Sequence, residues 1–444
     1  MIFNPLYYAD VRVEDRFSTT VRIFNGMLQE AKVRTETRAF LRVFDGEMWY
    51  YASTTDLSRV QETLDELYAI AKPNEHIAHH PVVKNFQRNR DTLSVFAGSS
   101  VRDISLEEKR EFLASLLPLL AADPCMAMPA GVYLDRNSLY TFTSSLGAEI
   151  RFDYQTCGVV LSCDMVEGEK KFSASWQKGA TRYKELKGLE QEIAAEMAEQ
   201  VAFMKRSVPV VPGEYPVVLS PQAAGVFAHE SFGHKSESDF MLSDESMKAE
   251  WAIGKEVGSP ILSIAEYGEI LGSGYVPYDD EGTKARKNYL IKDGKLAGRL
   301  HSVLTATVLE EEPTGNARAK DCTFEPIVRM TNTYIEPGDC TFEELLAPIK
   351  KGYYIKSINH GSGMSTFTIA PDVAYEIVDG KLGSPVQISV VTGNVFETLG
   401  LIDGLSKELT MLSFVTGGCG KMEQHPLPVG FGGPYVRVSR MKVQ

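Results

Sequence analysis

The chain has 444 residues, 43% hydrophobic and 24% charged, with 46 Lys plus Arg against 59 Asp plus Glu and a formal net charge of −13. This length is about three times a usual domain of ~150 residues, and the composition is that of a folded globular protein rather than a disordered, fibrous or membrane one. The acidic balance, with no long basic run, disfavours direct DNA or RNA binding, and the absence of a run of about 18 apolar residues predicts an unanchored, cytoplasmic protein.

Residues 10–55 read as short alternating β-rich runs (VRVED, STTVRIFNG, EAKVRTETRAFLRVFDG and EMWYYAST) joined at Asn25-Gly26 and Asp45-Gly46, an antiparallel meander. Leu57, Val60, Leu64, Leu67, Tyr68 and Ile70 then recur at mainly three- and four-residue steps, predicting an amphipathic helix within 53–72 that ends before Pro73. Residues 73–102 read as a polar connection. Ser105 with Glu108 forms a capping-box pattern for a helix over 106–122.

From Gly131 the order repeats: strands around LYTFTSS, AEIRFDYQ, GVVLSCDM and KKFSASWQ, then a long helix near 181–206 with Ile193, Met197, Val201 and Met204 on one face. A meander followed by a helix thus occurs twice, as an old duplication would leave it. Residues 208–220 hold three prolines and read as a linker entering an edge strand. The hairpins NYLIKDGKLAGRL and AYEIVDGKLGSPVQI both turn at Asp-Gly, so the remainder should be β-rich. The expected class is α+β, in units 1–103, 104–212 and 213–444, the last carrying the site.

The six cysteines (Cys125, Cys157, Cys163, Cys322, Cys340, Cys419) include no CxxC pair, and most should be free, buried thiols. Ser220-Pro221 reads as an N-cap and first helical position, opening a helix through QAAGVFAHESFGH that carries His229, Glu230 and His234. Two imidazoles flanking a carboxylate are the parts of a metal-hydrolase site: neutral histidines bind a borderline-soft ion, and the carboxylate takes a proton from water. A five-residue spacing, however, rotates the second ring by about 140° and raises it by about 7.5 Å on a regular helix. Both rings can reach one ion only if the helix is irregular between Glu230 and His234, through a π-type residue or by unwinding at Gly233. On spacing alone, a metal pair and a core-plus-surface pair of histidines stand equal. Cys419, between glycines in TGGCGKMEQHPLPVGFGGP and close to Lys421, is a third donor or, as for most cysteines, a buried free thiol.

Other constellations carry less. Asp279, Asp280 and Glu281 read as solvated turn carboxylates or as a group orienting a ligand histidine. His360 or His425 could stabilise a tetrahedral intermediate, or be surface histidines. His76, His79 and His80 read as exposed loop residues, and Glu310-Glu311-Glu312 as a solvated acidic loop. No GxxxxGK[ST], no GxGxxG opening a βαβ unit and no nucleophile elbow around Ser362 occur, which disfavours a nucleotide enzyme or serine hydrolase.

HESFGH followed by SDF, then DDEGTKARKNYLIKDGKLAGRLHS, PTGNARA, VRMTNTYIEPGD, AYEIVDGKL and CGKMEQHPLPVGFGGP resemble, in that order, the successive blocks of the TldD/PmbA family, zinc-dependent peptidases and their metal-less paralogues. The resemblance implies that His229, His234 and Cys419 bind Zn2+ and that Glu230 is the catalytic carboxylate. With HExxxH intact, it implies the TldD-type metallopeptidase branch, cutting small or unfolded polypeptides inside a dimer cavity. The dimer would be of two copies, or of one copy with a metal-less PmbA-type paralogue. A rival reading is a non-catalytic, metal-stabilised peptide-binding or partner subunit. Met422-Glu423-Gln424 with His425, and Asn359-His360-Gly361-Ser362-Gly363, depart from the family pattern near the cleft, so substrate preference is not implied.

Overall fold

The computed structural model describes residues 1–444. β1 (Tyr8–Phe24) and β2 (Met27–Phe44) are 17 and 18 residues long and join at Asn25-Gly26, both with positive φ (47° and 74°), as a tight type I′ turn requires. β3 (Trp49–Thr54), β4 (Arg90–Leu93), β5 (Met126–Ser144), β6 (Glu149–Glu167) and β7 (Lys170–Ala180) complete one seven-stranded sheet of order β3-β2-β1-β5-β6, with β4 and β7 both on the outer edge of β6.

The short runs expected from the sequence are in fact continuous. VRVED and STTVRIF belong to β1, and AEIRFDYQ and GVVLSCDM to β6. Charged residues within these long strands are held by partners in the sheet or on it: Glu14 of β1 accepts from Arg16 at 2.8 Å and pairs with Arg136, while Asp135 of β5 meets the buried Lys109 at 2.6 Å. The supposed connection 73–102 includes a short helix, Pro81–Asn85, and β4, which pairs parallel to β6.

β1 and β5 pair antiparallel at the centre, flanked by β2 and β3 on one side and β6 and β7 on the other, the symmetric order of two fused hairpin units. Segments 1–103 and 104–212 therefore share one sheet. The helix Val60–Ile70 packs Leu64 and Leu67 on Leu41 and Val43, and Glu190–Arg206 packs Ile193, Met197 and Val201 in the core of the other half. Ser105 Oγ accepts from the Glu108 N–H at the start of Leu106–Leu116, as expected of a cap.

The C-terminal half holds a ten-stranded and a six-stranded sheet. Gly213–Leu219 is central rather than an edge strand, lying between Lys351–Ile355 and Val436–Val443. Pro216 is tolerated because the Val436–Val443 ladder shifts register opposite it, and pairing with Lys351–Ile355 begins only at Val217. Both Asp-Gly hairpins form, with positive φ at Asp293, Gly294, Asp379 and Gly380. No helix is long and apolar enough to cross a membrane.

The two halves are clasped by buried charge. Arg42 lies 2.7 Å from Asp10 and 3.0 Å from Glu281, and Arg12 lies 3.0 Å from Asp280. Asp279 accepts the backbone N–H groups of Glu281, Thr283 and Ala317. The acidic trio is thus neither solvated nor beside a ligand histidine; it joins the halves. Removing one member of a buried ionic set strands its partners without water or counter-charge. Arg42→Met is expected to lower stability by about 3–5 kcal/mol in urea unfolding, and a loss below about 1 kcal/mol would show the clasp to be dispensable.

Candidate metal centre

The helix Pro221–Ala228 begins as its sequence dictates, with Ser220 Oγ accepting from the Ala223 N–H at 3.2 Å. It lies very close to the strand Gly430–Gly433: a Cβ on Gly225 would stand 2.7 Å from the Gly432 nitrogen and 2.8 Å from its Cα. Beyond Ala228 the winding changes. His229–Gly233 is a π turn in which the His234 N–H reaches the His229 carbonyl, followed by a 3₁₀ turn, His234–Ser236. The added residue brings positions five apart onto one face. The two imidazoles stand with centroids 5.2 Å apart and planes at 78°.

Gly233 contributes differently from the sequence expectation. Its φ is −55°, ordinary right-handed geometry, and its need is for space, because a Cβ there would overlap Met330 Sδ. Gly233→Ala is expected to cost about 1–3 kcal/mol through overpacking, read as a lower thermal midpoint; an unchanged midpoint would mean that Met330 repacks freely.

Cys419 arrives from the opposite side on the hairpin Cys419–Lys421 and Gln424–Leu427. Gly418, at φ 147°, precedes it, and a Cβ there would sit 2.6 Å from the Leu427 carbonyl. Cys419 Sγ lies 3.4 Å from His234 Nε2, and one donor atom from each of His229, His234 and Cys419 falls within 4.8 Å of the others. Burial alone would raise the Cys419 thiol, but the neighbouring His229 and His234 bring it down to about 4. Burial would likewise lower His234, yet its contacts with Cys419 and Glu237 raise it to about 10; His229 is raised against burial by Cys419.

The three groups thus shift one another in the same sense, the thiol toward thiolate and both rings toward the protonated form. His229 Nδ1 is buried with no hydrogen-bond partner. Two imidazoles and a thiolate are a zinc-type donor set, and these residues fit such an ion.

Glu230, half-buried, lines a cleft of about 440 Å³ together with His229, Cys419, His360 and Phe414. The cleft continues into a cavity of about 510 Å³ along β7, the two sharing Gln177, Ile358, Phe414 and Phe431. His360 is exposed on the cleft wall, whereas His425 is not among the cleft residues and lies against Gly420. His76 and His79 are exposed, as expected, but Glu311 is bound by Arg299 and by His301 Nε2 at 2.9 Å rather than solvated.

Lys421 does not face the thiol. Its Nζ binds Asp239 at 2.6 Å and Glu237 at 3.1 Å. Glu237, whose Oε2 is 3.2 Å from His234 Nδ1, escaped the sequence reading; its position three residues after His234, one helical turn on, was the available signal.

A cleft with a histidine pair, a carboxylate and a thiol at its floor holds the kinds of side chain that a metal-dependent hydrolase uses. The description "PmbA/TldA metallopeptidase C-terminal domain" matches residues 212–444, and "PmbA/TldA metallopeptidase domain 1" matches residues 9–71. The chain belongs to the PmbA/TldD metallopeptidase family. It is 30% identical to a metalloprotease of Methanothermobacter thermautotrophicus over 449 residues, covering 100% of this chain and 96% of that one. A zinc metalloprotease TldD homolog of Saccharolobus solfataricus is 36% identical over 244 residues, 54% of this chain and 53% of that one. Among solved structures, TldE from Thermococcus kodakarensis superposes with a TM-score of 0.77 at 16% identity, over 98% of this chain and 96% of that one, a likeness of fold.

Proposed function

We propose that this protein is a zinc-dependent peptidase of the TldD type that cleaves small or unfolded polypeptides. The observation that carries the reading is the convergence of His229, His234 and Cys419 at the floor of a cleft that Glu230 also lines. These three residues would hold the ion, which supplies Lewis acidity toward the scissile carbonyl and the attacking water. Glu230 takes that water's proton and passes it to the leaving amine. A thiolate donor tempers the Lewis acidity, so turnover should be modest.

Ile358–Gly363 is the end strand of its sheet, paired only to Thr366–Pro371, and its first four residues line the cleft. An extended chain can add to such an edge by main-chain hydrogen bonds and continue into the cavity along β7. On this reading the 213–444 unit carries the chemistry, 104–212 supplies the far wall of the cleft through β7, and 1–103 completes the sheet. The protein acts in the cytoplasm as a dimer around an internal chamber, of two copies when made alone or with a metal-less PmbA-type paralogue.

The test is to load the purified protein with one zinc per chain and present unstructured and folded substrates. Unstructured peptides should be cut, chelation should stop the reaction and zinc should restore it. Full zinc occupancy with no cleavage across an unstructured peptide library would favour the non-catalytic subunit instead. Light scattering should give twice the 49.2 kDa of one chain; an active 49.2 kDa particle would remove the chamber and leave the metal reading standing.

A further inference from the structure

Lys421 is an ammonium group almost sealed from water, its side chain 2% exposed. Its Nζ lies 3.1 Å from Glu237 Oε2, 2.6 and 2.7 Å from the two Asp239 oxygens, and 2.9 Å from the Val328 carbonyl. Glu237 is 0% exposed; its Oε2 also meets His234 Nδ1 at 3.2 Å, and its Oε1 is buried without a partner. A continuous chain of contacts therefore runs from the strand bearing Cys419, through Lys421 and Glu237, to the imidazole of His234.

We propose that Glu237 and Lys421 are positioning residues, a buried carboxylate–ammonium strut that fixes His234 and Cys419 relative to each other for metal binding. The proposal rests on the metal reading above.

Three physical points support it. An ionised carboxylate only accepts hydrogen bonds, so its contact with His234 requires the proton on Nδ1; this sets the ring orientation and presents Nε2 to Cys419, 3.4 Å away. Cys419 and Lys421 are two apart on one three-residue strand, both buried while Gly420 between them is exposed, so anchoring the ammonium also anchors the strand that carries the thiol. Finally, apolar side chains would fill this volume at no desolvation penalty, whereas a fully buried carboxylate with one oxygen unsatisfied is costly. Packing alone does not account for Glu237.

Glu237→Gln keeps the shape and removes the charge, and Lys421→Met keeps the stem and removes the ammonium. Each is expected to weaken zinc binding by about tenfold or more in chelator competition, although neither residue offers a donor atom to the ion. Each should also shift the visible spectrum of the cobalt(II)-loaded protein, which reports geometry around the thiolate and does not respond to a purely structural role. Lys421→Arg should recover part of the affinity. Should the Gln or Met variant fail to fold, Glu237→Asp retains the charge but draws the carboxylate back by one methylene, and should still bind zinc more weakly than wild type.

Wild-type zinc affinity and a superimposable cobalt spectrum in Glu237→Asp and Lys421→Met would overturn the strut. A wild-type protein that binds no zinc is a separate result, which overturns the metal reading on which the strut rests.

Discussion

Glu230→Gln is expected to lower peptide cleavage by about 10²–10⁴-fold while leaving zinc content unchanged. The substitution replaces a carboxylate with a neutral amide of nearly the same shape, so it removes the proton acceptor without opening the cleft. Because the donor triangle consists of His229, His234 and Cys419, the ion should remain. The measurement pairs kcat/KM on a quenched fluorescent peptide with metal analysis of the same sample. Cleavage within tenfold of wild type would show that another group takes the proton. Loss of zinc along with activity would instead make Glu230 a ligand, and the roles within HESFGH would have to be reassigned.

The second large effect separates one cysteine from the others. Cys419→Ala and His234→Ala should each weaken zinc binding at least tenfold, whereas Cys125→Ala, Cys163→Ala and Cys322→Ala should leave it unchanged. All six cysteines are free, and all except Cys340 are buried. Burial pushes Cys163 and Cys322 up to about 11 and raises Cys125, because none of them has cationic neighbours strong enough to offset desolvation. Only Cys419 has two imidazoles beside it, and it alone is drawn down. Equal zinc content in Cys419→Ala and wild type, by atomic absorption, would remove the thiol from the donor set.

What the sequence revealed follows the range of the interactions involved. The caps at Ser105 and Ser220, the Asn-Gly and Asp-Gly turns and the helix Glu190–Arg206 depend on neighbours a few residues away, and they were legible. For both rings to reach one ion, the five-residue histidine spacing calls for an irregular turn, by a π-type residue or by unwinding at Gly233, and His229–Gly233 takes the π form.

Elements supported by distant partners were misread. β1 reads as two runs and β5 as a shorter strand because Glu14 and Asp135 are charged, and nothing local shows that Arg136 and Lys109 will meet them. Asp279, Asp280 and Glu281 looked solvated because their partners Arg12 and Arg42 lie more than two hundred residues earlier. Lys421 was assigned to the thiol because that was its neighbour in sequence, while in space its charge is taken by Glu237 and Asp239.

The contact between Gly225 and Gly432 has a consequence for how this centre withstands mutation. Where a helix rests on a sheet through side chains, each substitution in the layer between them changes the gap, and the helix rides up or down as the core drifts. Here main chain rests on main chain, and a Cβ on Gly432 would itself collide with the Thr410 carbonyl and lie 2.9 Å from Met411 Sδ. The height of the helix that carries His229 is thus set by backbone atoms, which no substitution elsewhere can enlarge. The surrounding core can exchange Val, Ile and Leu over evolutionary time while the imidazoles keep their elevation above the sheet, and the two glycines are the positions at which that freedom ends.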